Sequence, residues 1–243
     1  MELIPWIFPY ICPIQYLEHT PDVRMKMVRR IFLGIMIIIL LVAGVSFALH
    51  QYKRIPPRAA SPVYALSKEK ATSLKRYASR NGYDTRHCFL VDYSLPSGTP
   101  RFFIWDFATS RIEYSDYCMH GPGKGSTAST PVFSNEIGSN CSSLGRFAIR
   151  KNRYGKTLGV NRSRLMIGLD NTNSNAQRRG IMIHDARFLD AQLFLPCRYI
   201  PLNEASCSGC VTVTTEGFKK AKEIIANSSK EILLWAYCEG EER

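Results

Sequence analysis

One long apolar block and a series of short ones organise this chain. Residues 31–49 read IFLGIMIIILLVAGVSFAL, with no charge and a single serine. At 1.5 Å per residue such a helix is about 28 Å long, close to the hydrocarbon thickness of a bilayer. Arg29 and Arg30 precede it, and His50, Lys53 and Arg54 follow, so flanking charge does not decide its orientation. Two readings stand side by side. The block is either an uncleaved anchor or a signal sequence, with Met25–Arg30 as the basic leader and Ser46-Phe47-Ala48 as a small-x-small cleavage site. A buried core helix is a poorer third reading, because no face of the block is polar. Residues 1–24 carry Pro5, Pro9 and Pro13, which break any helix there. They are read as an upstream extension before a start at Met25, with no assigned role.

Beyond the block the pattern changes. Residues 50–64 are basic and proline-rich and read as a linker. A helix is predicted over 67–81, with Leu66, Ala71, Leu74, Tyr77 and Ala78 near one face and Asn81-Gly82 ending it. Short apolar runs follow at 88–93, 102–107, 111–119, 145–150, 165–169, 180–184 and 232–237, with Gly, Asn and Ser between them. Ser97-Gly98-Thr99-Pro100 reads as the loop of a first hairpin. A second helix is expected over 215–227, with Phe218, Ala221, Ile224 and Ile225 on one side. Strands spaced in this way predict a mainly β domain over 65–243, a sandwich or a partly open barrel with flanking helices.

Charge adds a constraint. Only four of the 32 basic and three of the 20 acidic side chains lie before residue 50, which leaves an excess of +11 on the rest. Such a field attracts polyanions. An exported chain rarely meets nucleic acid, so anionic lipid or an acidic cell wall is the expected partner, and most individual Lys and Arg are simply a solvated surface. Seven of the eight cysteines lie past residue 49. In an oxidising compartment an odd number suits one free thiol plus up to three disulfides, whose pairing the sequence does not give.

One of these thiols sits where chemistry is feasible. In Ser206-Cys207-Ser208-Gly209-Cys210-Val211-Thr212-Val213, Cys210 follows a glycine and enters an apolar run. Backbone N–H groups at such a turn can converge on a bound carbonyl, and a base beside the thiol would ionise it. His184, closing the run Gly180-Ile181-Met182-Ile183-His184, is the candidate base. A structural cysteine and a strand-end histidine fit the same pattern. Cys207-x-x-Cys210 is also compatible with zinc or redox chemistry. However, no second close Cys or His pair completes a zinc set, and no βαβ setting suggests a thioredoxin-like motif. No metal site is expected.

The wider order of motifs is more specific. His120-Gly121-Pro122-Gly123-Lys124-Gly125 is followed by Phe133-Ser134-Asn135, Gly138-Ser139-Asn140 and Ser142-Ser143-Leu144-Gly145. Then come Asn175-Ala176, Arg179, Ile183-His184 and Ser208-Gly209-Cys210. Over roughly residues 65–238 this resembles the YkuD-like L,D-transpeptidase catalytic domains, in the branch with HGxGxG, FSN, GSN and SSLG motifs. The resemblance implies a β-sandwich of mixed sheets and an enzyme of the bacterial cell envelope, periplasmic or otherwise extracytoplasmic, tethered to the inner membrane through 31–49 if that block is uncleaved. It implies peptidoglycan stem peptides as substrate, with no metal or organic cofactor. By position, Cys210 matches the nucleophile and His184 the general base. The N–H groups of Gly209 and Cys210, flanked by Ser208, match the oxyanion donors. His120, Gly121, Asn135 and Arg179 match positions expected to border the substrate groove. Two departures stand out. Cys207 replaces the usual serine three residues before the nucleophile, which makes it a candidate redox regulator of Cys210. Asp185 follows His184 where the family usually has a small residue. These changes leave room for a non-catalytic wall-binding relative or for a hydrolase on the same fold.

Overall fold

The computed structural model describes residues 21–59, 61–195, 197–205 and 207–240. Most of the upstream extension, with its three prolines, and Ser206 of the cysteine loop therefore lie outside the described residues. The chain divides into two compact units at Val42/Ala43.

Helix α1 runs Pro21–Lys53. The apolar block sits inside it, and the segment is long and apolar enough to cross a membrane, with a mean hydropathy of 2.9 over its most apolar 18 residues. Ile55-Pro56-Pro57 stops it, since proline removes an N–H and disfavours helical geometry in the residue before it. The helix thus continues into residues expected as linker.

In the second unit, α2 spans Pro62–Asn81. Ser61 caps its first turn by accepting the N–H of Tyr64 at 3.2 Å, and Gly82 ends it in the left-handed conformation at φ 77°. Nine strands follow: β1 His87–Asp92, β2 Phe102–Asp106, β3 Arg111–Asp116, β4 Cys118–Met119, β5 Gly145–Ile149, β6 Ser163–Gly168, β7 Met182–Asp185, β8 Val211–Val213 and β9 Ile232–Tyr237. Their order across the sheet is β3-β2-β1-β9-β5-β6-β7-β8-β4. The pairs β1/β9 and β7/β8 are parallel, and the other pairs are antiparallel.

Strand β6 serves two partners. Its first half, Ser163 to Leu165, pairs with β7, and its second half, Met166 to Gly168, pairs with β5. The sheet therefore folds over at β6 into two layers. Between them lies a core of Phe89, Val91, Phe102, Ile104, Phe147, Ile149, Ile183, Val211 and Val213, closed by Phe218, Ala221 and Ile225 of α4 (Thr215–Asn227). The other face of β1, β2 and β9 is covered by α2 through Leu74, Leu90, Phe103 and Leu233. Covering both faces explains why these strands read as continuous apolar runs instead of alternating ones. Truncating a core ring such as Phe147 to alanine would cost roughly 3–5 kcal/mol.

The run read as one strand over 111–119 is two. β3 pairs with β2 and β4 with β8, at opposite ends of the sheet order. At their junction Asp116 is fully buried, and its carboxylate accepts the N–H of Thr214 at 3.2 Å and its hydroxyl at 2.7 Å. Arg54, just past α1, pairs with the same carboxylate at 3.1 Å. Gly217 leaves room for it, because a Cβ there would collide with Asp116 Oδ2.

Candidate active site

The parallel register of β7 and β8 sets His184 opposite Thr212 and Ile183 opposite Val211. Because side chains alternate along a strand, Met182 and His184 share one face with Cys210 and Thr212, while Ile183, Val211 and Val213 point into the core. That outer face floors a cleft of about 690 Å³, whose lining includes Arg162, Arg179, His184, Cys207, Ser208 and Cys210. The cleft is basic. Among the described residues its one lining carboxylate, Asp185, is taken up by Arg162 at 2.8 Å. The residue that departs from the small one expected after His184 is thus charge-paired across the mouth of the site.

His184 donates from Nδ1 to the carbonyl of Asp185 at 2.8 Å, and its Nε2 lies 3.1 Å from the Thr212 hydroxyl. A carbonyl only accepts, so Nδ1 carries the proton and Nε2 presents its lone pair, the tautomer a general base requires. Burial holds this imidazole below its ordinary pKa of 6.5, so the ring is neutral at pH 7. Cys210 is 7% exposed, and burial, with Cys207 alongside, pushes its thiol up to about 12. The resting pair is a neutral thiol and a neutral imidazole. They line one cleft, but no hydrogen bond joins them among the described residues.

Cys207 is buried and unbonded to any other cysteine. Its thiol donates to the carbonyl of Cys210 at 3.4 Å. The sulfur fills the place of a turn-capping serine hydroxyl. All seven described cysteines are free thiols.

The glycine-rich motifs form the frame of this loop. Gly209 has φ 95°, a conformation that glycine adopts without strain, and a Cβ on it would strike the carbonyl of Cys141. A Cβ on Gly121 would fall 2.8 Å from the Gly209 Cα. Gly121 N–H donates to the Ser142 hydroxyl at 3.0 Å. Three backbones, from the HG, NCSS and SGC segments, therefore pack in direct contact.

Of the four residues expected to border the groove, Arg179 lines the cleft. Its guanidinium donates to the carbonyls of Ser134 (2.7 Å) and Cys141 (2.5 Å) and to the Ser143 hydroxyl (2.5 Å). It clamps the FSN and SSLG segments beside Cys210. The other three are not among the residues that line the cleft. His120 is 1% exposed, with Nδ1 accepting from Arg101 at 2.9 Å and Nε2 donating to Thr127 at 2.8 Å. It is a structural ring, with no nitrogen left for a ligand. Gly121 is buried beneath Gly209. Asn135 lies away from the cleft and ties its loop to the carbonyl of Asn171 at 2.9 Å and to the N–H of Asn175 at 3.0 Å.

Two partners of these residues, Thr212 beside His184 and Arg162 beside Asp185, have no place in the motif order. Thr212 was legible in principle, two residues past Cys210 on a strand and so on the same face. Arg162, 23 residues before Asp185, gave no local signal.

The sequence profile of the YkuD_2 family, described as L,D-transpeptidase catalytic domain, matches residues 61–237. The chain belongs to this family. The YkuD_2 match takes in α2, the whole sheet and every residue of the cleft. Among solved structures, the helical cell shape determining protein Pgp2 from Campylobacter jejuni is 12% identical with a TM-score of 0.38, over 62% of this chain and 46% of that one. The L,D-transpeptidase (residues 123–326) from Xylanimonas cellulosilytica is 13% identical with a TM-score of 0.33, over 67% and 68%. Both likenesses are remote, and the chain spans less than half of Pgp2. No curated protein matches the chain.

Proposed function

We propose that this YkuD_2 chain is an envelope cysteine acyltransferase that modifies peptidoglycan, with Cys210 as nucleophile and His184 as its base. The observation that carries the reading is the shared strand face of Cys210 and His184 at the floor of a basic cleft, with the imidazole fixed in the base tautomer.

The substrate is a stem peptide whose third residue presents its carbonyl to Cys210. Its carboxylates suit a cleft rimmed by Arg162, Arg179 and Arg187. His184 Nε2 exchanges the Thr212 hydroxyl for the thiol proton as sulfur attacks. The tetrahedral oxyanion is received by the N–H groups of Gly209 and Cys210. Collapse breaks the amide, and His184 passes its proton to the departing D-Ala amine, leaving a thioester on Cys210. An acceptor amine or water gives a proton to His184, attacks the thioester and restores the thiol.

A wall-binding relative that lacks the reaction is the second reading. Burial of Cys210 and the missing Cys210–His184 hydrogen bond favour it. Incubation with tetrapeptide muropeptides, comparing the parent with Cys210→Ala by mass spectrometry, separates the two.

A further inference from the structure

Ser46, His50 and Arg54 recur every fourth residue and so share one face at the end of α1. Each is engaged by the domain that follows. The Ser46 hydroxyl donates to the carbonyl of Leu193 at 3.4 Å, the Tyr117 hydroxyl donates to the carbonyl of His50 at 3.2 Å, and Arg54 reaches Asp116. Beside this stripe the Phe47 ring stacks on Phe194, with centroids 5.4 Å apart and planes 14° apart. Phe194 and Leu195 follow α3 (Arg187–Gln192) and remain 49% and 56% exposed.

Position along the helix gives these contacts a meaning. Phe47 lies two residues before the end of the apolar block, about 3 Å along the axis from Leu49. A side chain stacked on Phe47 is at the depth of the block's last turn. One turn further on, Lys53 and Arg198 line a pocket of about 280 Å³ together with Leu49, His50 and Thr99. Apolar tips at acyl depth with cations a turn above them match the layering of a bilayer edge, where basic groups meet lipid phosphates.

We propose that Phe194 and Leu195 form a membrane-inserting tip of the domain, and that the Lys53/Arg198 pocket takes the headgroup phosphate of an anionic phospholipid. The inference rests on α1 crossing the membrane uncleaved. It does not depend on the chemistry at Cys210. Cutting after Ala48 would remove both Ser46 and Phe47, the partners of the 193–195 turn, so the docking itself opposes cleavage.

The test uses the full chain reconstituted in phosphatidylcholine vesicles with and without phosphatidylglycerol. A tryptophan at the tip, Leu195→Trp, is compared with Tyr154→Trp, an exposed site away from the helix, after subtracting the parent's emission. Expected is quenching of the Leu195→Trp signal by lipids brominated on the acyl chain, with shielding from acrylamide, and the reverse for Tyr154→Trp. Acrylamide quenching without bromolipid quenching at residue 195 overturns the tip. Native mass spectrometry then counts phosphatidylglycerol carried by the parent and by Arg198→Gln. Several-fold less lipid on the variant is expected, and equal retention overturns the headgroup pocket. A purified chain whose N-terminus begins at residue 49 would overturn both.

Discussion

The Thr212 hydroxyl meets Nε2 of His184 at 3.1 Å, so this imidazole is held by the residue two places past Cys210. Burial keeps the imidazole pKa below its ordinary value, and a hydroxyl donated to Nε2 favours the neutral ring in the same direction. Thr212→Val leaves the Nε2 lone pair unmet and should raise the pKa of His184, read from its ring resonances in an NMR titration. An unchanged or lower value would mean that the hydroxyl does not donate to Nε2.

Gly121 and Gly209 touch through their backbones, and a Cβ on Gly121 has no clear space against Gly209 or Asn140. Gly121→Ala should cost about 1–3 kcal/mol, as overpacking of a closed site does. The displaced Gly209 should also lower turnover in protein that remains folded. Urea unfolding followed by assays well below the midpoint checks both. Unchanged turnover with reduced stability would separate the HG motif from the cysteine loop.

Cys207 fills a serine's capping place, and no disulfide joins it to Cys210. Cys207→Ser should therefore keep both fold and activity, whereas Cys207→Ala should lose roughly 0.5–1.5 kcal/mol with the cap. Activity of the parent should be the same with and without reductant. Dependence on reductant in the parent that vanishes in Cys207→Ser would restore the redox switch that the C-x-x-C spacing suggests.

His120 is neutral in the fold. Burial, with Arg101 adjacent, lowers its pKa from 6.5 to about 4. The unfolded chain gains a proton below 6.5 that the folded one refuses, so stability is full above that pH and falls as pH drops toward 4, by roughly 3 kcal/mol in all. Asp116 acts with the opposite sign, because its carboxyl is raised to about 6 mainly by burial, so the comparison must be between variants. His120→Gln does not titrate, and its melting temperature should fall less than the parent's between pH 6.5 and 4. Parallel curves would show that His120 does not carry the acid sensitivity.

The apolar runs made the central strands readable. β1, β2, β5 and β9 lie close to where continuous hydrophobicity puts them, and α4 spans its expected 215–227. Misses fall where structure depends on distant partners. α2 begins five residues early because Ser61 caps it ahead of Pro62. α3 has six residues, too few for a period to show. The split of 111–119 follows from β4 pairing with β8, nearly a hundred residues away in sequence. At the site, Cys210 and His184 stood out by residue type and motif order. The framing role of His120, Gly121 and Asn135 did not, because a glycine kept for backbone contact reads the same as one kept for a ligand.

The most direct measurement is the mass of the intact protein after incubation with tetrapeptide muropeptides, for the parent and for Cys210→Ala. The account predicts loss of D-Ala from the substrate and an acyl adduct that maps to Cys210, with neither in the variant. A parent that stays unmodified and releases no D-Ala, in the presence or absence of reductant, would contradict it and leave a wall-binding relative without the reaction.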